Sequence, residues 1–148
     1  MPLRCGVIRV THIVVNKSRR ELLLLHHESV LRSYRIALGR NPIGPKTREG
    51  DGKTPEGRYI IDRRNPKSVY HLALHISYPS PADCGRACDF GLDPGGDIMI
   101  HGLPNGNSHL GSAHLETDWT QGCIAVTDEE MDEIWELVRD GTPIDIRP

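Results

Sequence analysis

The apolar positions along the chain fall into short runs of strand period, with one run of helical period near the end. Residues 7–15, VIRVTHIVV, are mostly β-branched and predict a strand. The polar turn 16–20 and the run Glu21–His27, ELLLLHH, complete a hairpin. In residues 30–38, VLRSYRIAL, alternation puts Val30, Arg32, Tyr34, Ile36 and Leu38 on one face of a third strand. Arg58–Asp62 is a short strand followed by a polar turn. Tyr70–Tyr78 alternates cleanly, with Tyr70, Leu72, Leu74, Ile76 and Tyr78 opposite His71, Ala73, His75 and Ser77. Residues 79–97 read as an irregular connection with room for one helical turn, and Ile98–His101 as a compact buried strand. Thr127 and Glu130 form the ends of a capping box, and Met131, Ile134, Trp135, Leu137 and Val138 recur at helical spacing. An amphipathic helix is therefore predicted over 128–139, ended by Gly141, with Thr142–Ile146 as a last edge strand. The fold class is mainly β: a sandwich or small barrel with one helix in the C-terminal region.

At 148 residues, with 15 glycines and 11 prolines, the chain is one turn-rich domain. A net charge of −2 and a single Phe supply neither the basic patch nor the stacking platform that a nucleic-acid partner needs. No apolar stretch reaches membrane-spanning length, and the N-terminus carries scattered charges in place of a signal-peptide core. Of the four cysteines, Cys5 stands near the terminus without an evident role. Cys84 and Cys88 could close a small disulfide or offer two thiolates. No second pair stands at zinc-finger spacing, so no structural metal is expected. His26 and His27 point to opposite sides of a strand, and His71 and His75 lie about 13 Å apart on one face, too far to share a metal.

The candidate chemistry lies between Ile98 and Val126. His101-Gly102 ends one apolar run, and Thr120-Gln121-Gly122-Cys123 leads into another. A thiol and an imidazole on two rigid strands are the parts of nucleophilic acyl transfer. Gly122 permits close backbone approach and could aim an N–H at an oxyanion. No acidic residue is evidently placed to orient His101; the Gly102 carbonyl could do so. His109 and His114 are rival bases on a looser loop. On spacing alone, a buried structural cysteine is the commoner meaning. The Gly39–Gly57 stretch is long for a structureless loop, a length usual in functional loops, though taken alone a rigid turn is the commoner meaning; it lacks GxxxxGK[ST], so it is not a P-loop.

His101-Gly102 followed by Thr120-Gln121-Gly122-Cys123-Ile124 resembles the signature of the L,D-transpeptidase (YkuD) catalytic domain. Gly50-Asp51-Gly52-Lys53-Thr54-Pro55-Glu56-Gly57 is similar to that family's upstream Gly-Asp-x-x-Thr-Pro-x-Gly segment. Tyr78-Pro79 and the stretch 95–102 fit as well. The resemblance makes residues 1–8 an N-terminal extension and 9–148 the catalytic domain. It implies Cys123 as nucleophile, His101 as base, Gly102 as its orienting carbonyl, and Gly122 with Cys123 as oxyanion donors. Thr120, Gln121, Trp119 and Tyr78 become substrate-contacting residues. No cofactor or metal is implied. The implied partners are peptidoglycan stem peptides, with a cell-wall-attached protein as a further one, in the periplasm or cell envelope. Gln121 replaces the usual second histidine, and Ala125 a frequent arginine. The stretch Asp118–Val126 resembles a YafK-like subgroup in which some members cut peptidoglycan attachments. A hydrolase, or an inactive cell-wall-binding module, is therefore the alternative to a transpeptidase.

Overall fold

The computed structural model describes residues 9–148. Cys5 and the proposed extension 1–8 lie outside the described residues. One eight-stranded sheet runs in the order β3-β2-β1-β8-β4-β5-β6-β7. Its strands are β1 (His12–Asn16), β2 (Glu21–His26), β3 (Ser29–Arg35), β4 (Gly57–Ser68), β5 (His71–Ile76), β6 (Met99–His101), β7 (Ile124–Ala125) and β8 (Pro143–Arg147). The β1/β8 and β6/β7 pairs are parallel and the others antiparallel. The chain just after β3 then reaches the opposite edge. Ala37 and Ala125 exchange N–H···O bonds of 3.0 and 2.9 Å, and Arg40 N–H bonds the Thr120 carbonyl at 2.9 Å. The sheet thereby curls on itself like a barrel, and the β7 edge is covered by the chain that follows β3.

The inner surface collects Ile13, Val15, Leu22, Leu24, Ile36, Leu38, Ile61, Leu74, Ile76, Ile100 and Ile124, all essentially without solvent contact. The capping box of Thr127 and Glu130 starts α2 (Asp128–Leu137), which packs Met131 and Ile134 onto this core.

Several expectations change. β8 is not an edge strand: it lies between β1 and β4, and Ile144 and Ile146 are buried. β4 continues past Asp62 to Ser68 through residues that look like a turn. A solvent-facing strand can be polar, and Pro66 sits where the β4/β5 register shifts, so its missing N–H breaks no ladder. Arg64 lies 4.6 Å over the Trp135 ring and bonds the Val138 carbonyl, tying that strand to α2. Residues 81–89 form a full helix, α1 (Pro81–Asp89), with Ser80 and Asp83 as a capping box and Pro81 in the first turn. Its apolar residues are small, Ala82, Cys84, Ala87 and Cys88, which hid it from a reading that looks for large apolar side chains. On β3, Val30 is exposed although Tyr34 is buried, because a bulge at Leu24/Leu25 resets the facing.

Candidate active site

His101 is the last residue of β6, and Cys123 immediately precedes β7. The parallel register pairs Ile100 with Ile124 and His101 with Ala125. Ile98, Ile100, Ile124 and Val126 point into the core, so His101 and Cys123 share the opposite face as diagonal neighbours. Strand spacing and rise put their Cα atoms about 8 Å apart.

The imidazole is 3% exposed. Tyr70 stacks on it at 4.3 Å, Trp119 tilts against it at 5.9 Å, and Leu115 and Trp119 close the small apolar cluster beside Ala37 and Ala125. Nδ1 donates to the Gly102 carbonyl at 2.7 Å, which leaves Nε2 as the proton-accepting nitrogen. Burial lowers the imidazole pKa to about 4, outweighing the bond to Gly102.

Cys123 opens on a cleft of ≈ 230 Å³ walled by Lys46, Glu49, Gly50, Gly96, Asp97 and Gln121. Its thiol donates to the Asp97 carbonyl at 3.3 Å rather than to the imidazole. Burial raises the thiol pKa to about 11, with the Asp97 charge adding to the rise. Thiol and imidazole are both neutral at pH 7, so no thiolate–imidazolium pair is preformed.

The turn before Cys123 is built from within. Thr120 is buried; its hydroxyl donates to the Cys123 carbonyl at 2.7 Å and accepts from the Gly122 N–H at 3.1 Å. The Gly122 N–H is thus already used, and the Cys123 N–H is the donor left beside the thiol. Gly122 matters sterically: its φ is 141°, and a Cβ there would meet the Lys53 carbonyl oxygen at 2.7 Å. Arg20 holds Asp118 through paired bonds of 3.0 and 2.7 Å, and Asp118 also accepts the Leu38 N–H.

The 39–57 loop is the other wall. Thr54 Oγ1 accepts the Gly39 N–H at 3.0 Å, and buried Lys17 gathers the Thr54 and Gly44 carbonyls and the Glu56 carboxylate. Asp51 pairs with buried Lys46 at 2.9 Å and accepts the Thr47, Arg48 and Lys53 N–H groups. These hydrogen bonds keep its carboxyl ionised below the usual range despite burial.

Of the residues expected at the site, His101, Gly102, Gly122, Cys123 and Gln121 come together, with Gln121 exposed at the mouth. Four expectations are corrected. Thr120 is spent inside its turn, and Gly122 offers no free N–H. Tyr78 is 2% exposed and donates to the Pro94 carbonyl, so it supports the 94–97 wall from behind. Trp119 covers His101 rather than the cleft of Cys123. Of the rival bases, His114 is turned onto the Gly111 carbonyl and packs on Trp119, and His109 belongs to the same 3-10 segment. His75 is buried against Asp62 at 2.6 Å, and His71 pairs with Asp132 at 2.6 Å. Cys84 and Cys88 are exposed on α1 and free. Sequence reasoning missed Lys46, Glu49, Asp97, Tyr70 and Asp128. The charged ones lie in a loop, a turn and a helix cap, where such residues have ordinary local roles.

A curled mixed sheet thus sets a histidine at the end of one strand beside a cysteine at the entry to its parallel neighbour. The L,D-transpeptidase catalytic domain (YkuD) model matches residues 10–146, and the chain belongs to this family. YafK of Escherichia coli (strain K12), an L,D-transpeptidase by name, is 33% identical over 112 residues, which are 74% of this chain and 37% of that protein. The chain thus spans little more than a third of the length of the curated relatives it matches. The helical cell shape determining protein Pgp2 of Campylobacter jejuni (K307A mutant) superposes with a TM-score of 0.68 at 26% identity, covering 93% of this chain and 46% of that one. The L,D-transpeptidase of Mycobacterium smegmatis gives a TM-score of 0.62 at 15% identity over 92% of this chain and 58% of its own, a likeness of fold.

Proposed function

We propose that this domain is a cysteine acyltransferase acting on peptidoglycan stem peptides in the cell envelope, with Cys123 as nucleophile and His101 as base. One observation carries the reading. Cys123 walls an open cleft on the strand face that also bears His101, and the Gly102 carbonyl holds His101 Nδ1 so that Nε2 takes the proton. Because both groups rest neutral, the proton moves as the attack proceeds. The Sγ–carbon bond forms at the carbonyl of the diaminopimelate L-centre, the thiol proton passes to Nε2, and the carbonyl π electrons become an oxyanion facing the Cys123 N–H. Collapse expels the terminal D-residue, whose amine takes the proton from Nε2. An amine of a second stem or water then cleaves the thioester, giving a crosslink or a trimmed stem and restoring the thiol. Kinship with a cell-shape determinant supports a role in wall remodelling.

Incubation with a tetrapeptide stem or a carbapenem should leave one mass adduct, on Cys123, absent from Cys123→Ala. No adduct on folded protein, or an adduct surviving the substitution, sinks the proposal. Sacculus digestion followed by mass spectrometry then separates new crosslinks, trimmed stems and released protein anchors.

A further inference from the structure

The His101 ring is joined to a carboxylate through a single peptide group. His101 Nδ1–H is donated to the Gly102 carbonyl at 2.7 Å, and the N–H of that same peptide, on Leu103, is donated to Asp128 Oδ1 at 2.8 Å. In a trans peptide C=O and N–H point in opposite directions, so imidazole and carboxylate occupy the two ends of one dipole. An anion accepting at the N–H end draws electron density toward the carbonyl oxygen, and hydrogen bonds in series strengthen one another. The acid that the sequence seemed to lack as an orienting group is thus present one peptide further away.

The surroundings hold this relay in place. The Gly102 N–H is donated to the Tyr70 carbonyl at 2.9 Å, and Tyr70 stacks on the His101 ring. A Cβ on residue 102 would collide with Asp128 Oδ1 and crowd His71 Cβ, so glycine is required where the carboxylate approaches. Asp128 is the first residue of α2. Of the titratable groups nearby, Tyr70 lies flat on the ring, His71 pairs with Asp132, and His114 bonds the Gly111 carbonyl.

We propose that Asp128 is a positioning residue for His101, fixing its tautomer and strengthening it as a base through the Gly102–Leu103 peptide. The proposal rests on the assignment of His101 and Cys123 made above. Asp128→Asn in the full chain is the informative variant, since its amide oxygen still accepts from Leu103 N–H but the charge is gone. Acylation of Cys123 by a stem peptide should slow about tenfold, the size of an ordinary single-charge effect, with only the small drop in unfolding midpoint that losing one charge at a helix N-terminus brings. The Nδ1-bound proton resonance of His101 should move upfield, reporting a weaker bond to Gly102. Asp128→Ala should lose more, because Leu103 N–H is also orphaned. Parental acylation and an unshifted resonance in Asp128→Asn would reduce Asp128 to a structural cap and overturn the proposal. If the parent itself fails to acylate, the functional reading falls, and the resonance alone still decides the relay.

Discussion

Gly122 passes so close to Lys53 that a Cβ on residue 122 would stand 2.7 Å from the Lys53 carbonyl oxygen. The two stretches that carry the family resemblance, 50–57 and 120–123, are therefore two sides of one contact. The turn that presents Cys123 has its shape because the loop leaves no room for a side chain.

Gly122→Ala should combine that clash with the strain of φ 141°. A loss of about 2 kcal/mol or more in urea unfolding is expected, together with loss of the Cys123 adduct. A parental midpoint would show that the contact yields.

With its thiol pKa raised to about 11, Cys123 should be the slow cysteine. Iodoacetamide should label exposed Cys84 and Cys88 first at pH 7, and the Cys123 rate should climb toward pH 11, read by peptide mass spectrometry. Faster labelling of Cys123 than of Cys84 at pH 7 would contradict a neutral resting thiol.

His101 titrates near 4 when folded and near 6.5 when exposed. Between those values the unfolded chain binds the extra proton, so stability present above pH 6.5 is lost as pH falls toward 4, by at most about 3 kcal/mol. Denaturant midpoints measured across that window should fall in the parent and fall less in His101→Gln. Equal slopes would mean that other groups carry the acid sensitivity.

Arg20 and Asp118 lie 98 positions apart in the chain, yet their paired bonds anchor the residue before Trp119. Asp118→Ala also orphans the Leu38 N–H and should cost about 1–3 kcal/mol, with Trp119 released from His101 and the adduct yield reduced. Arg20→Ala, which leaves the Leu38 bond intact, should cost less because its side chain is partly solvated. The reverse order in thermal unfolding would refute this division.

Local rules act on neighbours in the chain, and what they govern was legible in it. The β1/β2 hairpin, the alternation of β5, the capping box of α2 and the pairing of His101 with Cys123 all come from period, turn chemistry and motif. Solvent exposure concealed other elements. The polar half of β4 and α1, whose apolar residues are all small, face water on most sides, so no run of large apolar side chains announces them.

The sequence by itself determined a β-rich domain of the L,D-transpeptidase family and singled out His101 and Cys123 as its candidate residues. Only the tertiary structure decided that β8 lies inside the sheet, that Tyr78 and Thr120 face inward, and that the Gly102–Leu103 peptide ends on Asp128. These follow from how the sheet closes. Closure brings residues far apart in the chain to hydrogen-bonding distance, and no local pattern encodes which carbonyl, N–H or carboxylate will meet there.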